Sequence, residues 1–316
     1  MTPKTFAEMQ DQINLAITND YQNGMFDWNT FQNTHETPIS NACNYALAGG
    51  KRLRSIIVNE VARLTKHGNF THVNTMPSAL AIEYIHNASL IVDDLPVFDD
   101  DVIRRGQQTV HAKDGVIVAH LASMSMICAA MKNLSAQVQC MHDSVKMTCR
   151  NRRVPPEKCV EVWQRGARMY DYFWDRLDHK GIVGGQFMDS IPLIEDLQKA
   201  YGTNAVLDSI YRKTASLYEV SVVLGFLSAG GDMNQLPPIE ALGRHFGLAF
   251  QIADDIGDRE TDKDKRCWNV ALVYGVEVAR RLLDFHLSAC SRLLESTGLR
   301  SALWGEVFQK LMTMTV

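Results

Sequence analysis

The chain reads as an all-α protein, a single-domain helical bundle. Helical spacing of apolar residues dominates throughout, nothing reads as a run of strands, and no linker divides the chain. Its 316 residues, 46% hydrophobic and 22% charged, suffice for a large core and exclude a disordered or disulfide-built chain. The layout is residues 1–40 as an N-terminal helix and loop, 41–275 as the core and 276–316 as C-terminal helices.

Taken in order, Phe6, Met9, Ile13 and Ala16 set a first helix, followed by the turn-rich Asn19 to Pro38. Ala42 to Leu64 is helical but interrupted by Gly49-Gly50-Lys51-Arg52-Leu53-Arg54. Residues 77–95 form a helix with Pro77 in its first turn. Residues 115–149 make one or two helices, closed by the turn Arg150 to Pro156. Within them Val116 to Met131 is the longest apolar run; it carries His120, Ser123 and Ser125, falls short of the ~20 residues a membrane span needs, and reads as a buried central helix. Glu157 to Ile182 is a helix whose Trp163, Tyr170, Phe173 and Trp174 read as core. Gly184-Gly185-Gln186 allows close packing and sets Asp189 three residues beyond the glutamine. One long helix, Asn204 to Ala229, carries Lys213 and Thr214; after Gly230-Gly231 and Pro237-Pro238, another runs from Ile239 to Glu260. Past Gly275, Val278, Leu282, Phe285 and Leu293 mark an amphipathic segment packed on the outside or on a partner.

A net charge of -4 without a basic stripe gives no footprint for nucleic acid. Seven scattered cysteines without a C-x-x-C pair support neither zinc nor disulfides, and a reducing, cytoplasmic setting fits best. The N-terminus has neither signal-peptide nor transit-peptide layout, so membrane attachment would need a leader outside this sequence.

The chemistry concentrates at Leu90 to Gly106, where Asp93, Asp94, Asp99, Asp100 and Asp101 precede Arg104 and Arg105. Like charges this close need a counterion, and carboxylates followed by guanidiniums suit magnesium together with a phosphate. On an unbroken helix Asp93 and Asp99 would diverge; Pro96 should kink or loosen it and let Asp99 swing back. An EF-hand is excluded, since the loop lacks that motif's glycine and final glutamate. Alone, the cluster reads equally as a solvated acidic turn. Residues 251–258, Gln-Ile-Ala-Asp-Asp-Ile-Gly-Asp, weaken that reading, because Asp254 and Asp258 share a helical face beside Asp255. Two such stretches can hold metal across a bundle interior. Gly49-Gly50 opening a helix lets backbone approach an anion, and Lys51 and Arg54 share a face; His86, two turns before Asp93, joins them and Arg105 as a phosphate donor.

In this order the motifs resemble the trans-isoprenyl diphosphate synthases, which make farnesyl and geranylgeranyl diphosphate. The resemblance spans residues 40–275: Gly49 to Arg54, Asp93 to Asp99 with Arg104-Arg105-Gly106, Gly185-Gln186, Lys213-Thr214, and Phe250-Gln251 through Asp258. It implies an isoprenoid-synthase bundle with a central substrate cavity and a homodimer. It also implies magnesium on Asp93, Asp94 (or its neighbour's carboxylate), Asp99, Asp254 and Asp258, bound to an allylic diphosphate assisted by Arg104, Lys213 and Gln251. Lys51, Arg54, His86 and Arg105 would hold isopentenyl diphosphate, while Thr214 and Gln251 lend dipoles to the allylic cation. The positions one turn before Asp93 bound the product; Ala88 and Ser89 are small, so geranylgeranyl diphosphate or longer is expected, with Met124 or its helix neighbours as a deeper floor. Ser123-Met124 stands where the family commonly has Gly-Asp, residues 138–178 do not align, and the family's later lysine has no firm counterpart, Lys263 or Lys265 being nearest. Trp268-Asn269 and the ending from Trp304 to Leu311 resemble divergent synthases of large DNA viruses. A farnesyl diphosphate synthase or a non-catalytic prenyltransferase subunit is the alternative. A terpene cyclase would need one diphosphate site, and a non-catalytic subunit would have lost its acidic motifs.

Overall fold

The computed structural model describes residues 5–23, 25, 37–65, 73–149, 155–263 and 268–315. It divides into two compact units, Met1–Asn59 with Phe70–Val162, and Glu60–Asn69 with Trp163–Val316. Lys265 lies outside the described residues.

In the first unit, α1 (Phe6–Gln22) starts at a capping box: the Thr5 N–H donates to Glu8 Oε2 at 2.7 Å and the Glu8 N–H to Thr5 Oγ1 at 3.2 Å. It buries Met9, Ile13 and Ile17, and it runs on past Asn19, where a turn was expected. Helices α2 (Pro38–Leu47) and α3 (Leu53–Leu64) flank the Gly49–Arg52 loop, and the boundary between the units falls within α3. Helix α4 (Met76–Asp93) is buried on nearly every side, consistent with a sequence that is apolar all round. It ends at Asp93 instead of kinking at Pro96. The chain then turns back so that the Asp99 N–H donates to the Asp93 carbonyl at 3.0 Å, the return expected of this motif by a different route.

Two short strands, β1 (Ile103–Arg104) and β2 (Gln107–Gln108), pair antiparallel where no strand was expected. Arg105 and Gly106, at φ 53° and 74°, form the two-residue left-handed turn that such a hairpin requires. After α5 (Val110–Asp114), α6 (Val116–Thr148) is one helix of 33 residues. It is not the wholly buried helix expected. One face, with Ala119, Ala122, Ser123, Met126 and Ala130, is buried; the other exposes Ile117, Leu121, Met124, Cys128 and Met131. By length and composition α6 could cross a membrane, although 39% of its most apolar window is buried inside the protein.

The second unit takes α7 (Pro156–Leu177) from Trp163 on. Phe173 is fully buried here and Trp163 is 74% exposed, so the expected aromatic core set is only partly inside. Next come α8 (Ile182–Asp189), α9 (Ile194–Tyr201) and α10 (Ala205–Ile210). The long helix expected over 204–229 is interrupted: Tyr211–Ala215 is a π-helical turn, and α11 (Ser216–Ser228) follows, buried throughout. Helix α12 (Leu236–Gly257) packs on α11 and later on α15. Helices α13 (Arg259–Asp262), α14 (Val270–Tyr274), α15 (Val276–Ser296) and α16 (Ala302–Thr313) complete the unit. Helix α15 turns Ala279, Leu283, His286, Cys290 and Leu294 onto α12. Phe285, expected on its apolar face, is 56% exposed, so the buried stripe is offset by about one residue.

Candidate active site

The first acidic motif sorts its carboxylates by burial. Asp94 is 4% exposed and is held by Arg104, whose Nε donates at 2.7 and 3.0 Å and whose Nη2 lies at 2.6 Å. Burial pushes the Asp94 carboxyl above its ordinary range, and the Arg104 bonds work against that shift. Both oxygens of Asp94, which the family resemblance places among the metal ligands together with its neighbour's carboxylate, meet the guanidinium that the hairpin delivers. Asp93 is half-buried and Asp99 exposed, joined through their backbones by the turn. The donor set is hard oxygen, which suits magnesium. Among the described residues no group of three or more His, Cys, Asp or Glu could hold a metal ion. That is compatible with the ion, which commonly takes one or two carboxylates and completes its shell with waters and substrate phosphates.

The same unit gathers the basic residues. Gly49, Gly50 and Arg52 all have left-handed φ, 73°, 93° and 55°. A Cβ on Gly50 would lie 3.0 Å from Arg105 Nη1, so glycine there leaves room for the guanidinium. An Arg54 N–H donates to His86 Nε2 at 3.3 Å, which assigns the ring proton to Nδ1. Burial, and then the guanidiniums of Arg54 and Arg105, hold the His86 pKa well below its usual value, leaving a neutral ring. Lys51 is exposed beside them.

Sequence reasoning passed over what fixes this loop. Arg52 turns inward: Nη1 meets Glu83 Oε1 at 2.6 Å, Nε donates to Asn14 Oδ1 at 2.9 Å, and Nη2 donates to the Leu47 carbonyl. Glu83 also accepts from Ser55 and Asn87, at 2.8 and 3.1 Å. The one legible signal was a glutamate inside an otherwise apolar stretch of α4.

One turn before Asp93, Ala88, expected with Ser89 to bound the product, lies against α6. Ala88 is buried and its carbonyl accepts from Ser123 Oγ at 3.2 Å, whereas Ser89 is half-buried. Met124, expected as a deeper floor, is 53% exposed on the opposite face; its neighbours Ser123 and Met126 are the inward ones.

In the second unit Asp254 and Asp258 lie one turn apart at the end of α12, half-buried and exposed, with the Asp258 N–H on the Asp254 carbonyl at 2.8 Å. Asp255 faces inward. It accepts from Gln251 Nε2 and the Val270 N–H, each at 2.7 Å, and burial pushes its carboxyl up to about 7 against those bonds. Gln251 is therefore oriented by Asp255. Lys213 and Thr214 sit half-buried in the π-helical turn, and Lys213 Nζ pairs with Asp189 at 2.5 Å. Asp189 also accepts from the Trp268 N–H at 3.2 Å. A Cβ on Gly185 would lie 2.2 Å from the Lys213 nitrogen, which accounts for the glycine before Gln186. Lys263 pairs with Glu260 at the surface.

Carboxylates at the ends of α4 and α12, guanidiniums on the hairpin and on α3, and a Lys-Thr pair in the π-helical turn are groups suited to handling diphosphates in an all-α protein. The profile of the polyprenyl synthetases matches residues 36–269, and the chain belongs to that family, the trans-prenyltransferases that use isopentenyl and allylic diphosphates. It is 28% identical over its whole length to the trans-prenyltransferase of African swine fever virus (Warthog/Namibia isolate), covering 86% of that protein. It is 30% identical to the farnesyl diphosphate synthase of Bacillus subtilis over 82% of this chain and 83% of that one. Among solved structures, the geranyltranstransferase of Thermotoga maritima superposes with a TM-score of 0.71 at 21% identity, over 98% of this chain and 99% of that one, which shows the isoprenoid-synthase fold.

Proposed function

We propose that this trans-prenyltransferase condenses isopentenyl diphosphate with an allylic diphosphate to give geranylgeranyl diphosphate or a longer chain. The observation that carries the reading is the separation of charge within the first unit. Asp93 and Asp99 form an acidic turn, while Lys51, Arg54, His86 and Arg105 form a basic group around the Gly49–Arg52 loop. An elongating enzyme must handle two diphosphates, one through metal and one through bases, and the chain supplies both donor sets.

In this reading Asp93 and Asp99 in the first unit, and Asp254 and Asp258 in the second, would each offer carboxylates to magnesium, which when bound would neutralise the leaving diphosphate and favour ionisation of the allylic C–O bond. Arg104, kept in place by Asp94, would offer N–H donors to the allylic diphosphate, and Lys213, paired with Asp189, would be the second unit's donor to an allylic diphosphate. Lys51, Arg54 and Arg105 bind isopentenyl diphosphate, with neutral His86 donating through its Nδ1–H. The isopentenyl double bond attacks the allylic cation, and the departing diphosphate takes the proton lost from the adduct. The Thr214 carbonyl and hydroxyl and the Gln251 amide stabilise the cation, and apolar walls exclude water. The small residues Ala88 and Ser89 support a product longer than farnesyl; farnesyl diphosphate synthase remains the alternative, as among the relatives.

The second copy of a homodimer would cover the outer face of α6. Ile117, Leu121, Met124, Cys128 and Met131 repeat at alternating steps of four and three, the seam of a helix that packs on another helix. Met124→Glu is expected to yield monomers in sedimentation. The reaction itself is tested by supplying farnesyl diphosphate, labelled isopentenyl diphosphate and magnesium and reading product length by chromatography. Geranylgeranyl or longer product is expected, and accumulation ending at farnesyl from shorter starters rejects the length assignment. A reducing cytoplasmic setting is proposed from the unpaired cysteine pattern of the sequence.

A further inference from the structure

One buried acid in the second unit belongs to none of the motifs above. Glu219, on α11, has a fully buried side chain. Its Oε1 accepts from the Tyr172 hydroxyl and from Arg176 Nη2 at 3.0 Å; its Oε2 accepts from the Tyr211 hydroxyl at 2.8 Å and lies 3.4 Å from Arg244 Nε. A buried carboxylate is costly unless paired and hydrogen-bonded, and here two guanidiniums and two phenols surround one acid. Its partners come from α7, α12 and the π-helical turn, so the network ties three elements to one point.

The partner that matters for chemistry is Tyr211. It is the first residue of the π-helical turn, two before Lys213 and three before Thr214. A π-turn contains one residue more than an α-turn. If it relaxed to α-helical bonding, the side chains on one side would rotate by about 100° relative to those on the other. Backbones crowd the turn on two faces: a Cβ on Gly185 would strike the Lys213 nitrogen, and one on Gly247 would lie 2.5 Å from the Ala215 Cα. A Cβ on Gly243 would likewise lie 2.5 Å from the Glu219 Cα, so α12 approaches α11 at the network itself. The glycines confine the middle and end of the turn, and the phenol bond to Glu219 pins its start. The Arg244 guanidinium, 5.3 Å over the Tyr211 ring, adds to that anchor.

We propose that Glu219, acting through the Tyr211 hydroxyl, is a positioning residue that holds the π-helical turn in register and so sets where Lys213 and Thr214 present their groups to the allylic diphosphate. This rests on the reading of Lys213 and Thr214 as allylic-side groups. Neither Glu219 nor Tyr211 touches substrate in this account.

The test uses the full chain and three variants, Tyr211→Phe, Lys213→Ala and the double variant, with Glu219→Gln as a second probe of the same bond. Tyr211→Phe removes one hydroxyl and keeps the ring under Arg244. Steady-state kinetics with each diphosphate varied in turn should show kcat/KM for the allylic substrate falling at least about fivefold. The KM for isopentenyl diphosphate should change less than about twofold in the same variant. Because Tyr211 acts through Lys213, the double variant should be hardly worse than Lys213→Ala alone. A purely structural role predicts instead a lower melting temperature with unchanged KM values in the folded fraction, and that result overturns the proposal. Full additivity of the two substitutions also overturns it. If Lys213→Ala itself leaves allylic kinetics intact, the underlying site assignment fails; if Lys213→Ala is impaired and both Tyr211→Phe and Glu219→Gln are not, the positioning role alone fails.

Discussion

The Arg52 guanidinium meets the Glu83 carboxylate at 2.6 Å with both side chains only 2% exposed, and this pair anchors the loop that carries Lys51 and leads into α3 with Arg54. Removing one partner leaves a buried charge uncompensated, so Glu83→Gln should cost roughly 3–5 kcal/mol. A thermal melt checks the stability loss, and steady-state kinetics should show a larger rise in KM for isopentenyl than for allylic diphosphate. Arg52→Lys should not restore either property, because an ammonium cannot span Glu83, Asn14 and the Leu47 carbonyl together.

Asp93 and Asp94 are adjacent and chemically identical, yet they should respond differently to substitution. Asp94→Asn is expected to weaken the hold on Arg104 and lower kcat by about tenfold with little change in the magnesium concentration needed for half activity. Asp93→Asn and Asp99→Asn should raise that concentration. Magnesium titrations of the three variants decide the matter; an Asp94→Asn shift as large as that of Asp93→Asn would make Asp94 a ligand after all.

Ala88 packs against α6 where Ser123 donates to its carbonyl. An aromatic ring at this position should fill the space toward Ser123 and Met126, so Ala88→Phe is expected to shorten the product toward farnesyl. The larger side chain should also cost about 1–3 kcal/mol through overpacking. Product chromatography alongside a melt separates the two effects, and an unchanged product length in a folded variant would move the floor elsewhere.

His245 and His286 share a hydrogen bond of 2.8 Å between their Nδ1 atoms, which needs one donor and one acceptor. Burial, and then His245, hold the His286 pKa down at about 4. The unfolded chain therefore binds a proton, which the folded chain rejects, between about pH 6.5 and about 4, and stability falls as pH drops through that window. Denaturation curves across it should show the loss, and His286→Gln should flatten the slope. An equally steep slope in the variant would place the sensitivity in other groups.

Much of the candidate site could be proposed from residue type at fixed spacing: Asp93 with Asp99, Asp254 with Asp258, and Gly49 to Arg54. The helical class was legible for the same reason of periodicity. What was not legible depended on long-range packing. Nothing local distinguishes Asp94 from Asp93, since the difference is made by a hairpin that delivers Arg104. Nor does Tyr211 to Ala215 differ in propensity from an α-helix; the widened turn arises where backbone meets Gly185 and Gly247 and where Glu219 holds Tyr211. On α15, a helix with apolar residues on more than one side left the choice between Leu283 and Phe285 to the fit against α12.

The central claim is that both acidic motifs serve one magnesium-dependent elongation. It is tested most directly by measuring diphosphate release and labelled product from farnesyl diphosphate, with and without isopentenyl diphosphate and magnesium, in the native chain, Asp93→Asn and Asp254→Asn. The account predicts product only when metal and both substrates are present, and severe loss in each variant. Diphosphate release that ignores isopentenyl diphosphate, or full elongation by Asp254→Asn, would contradict it.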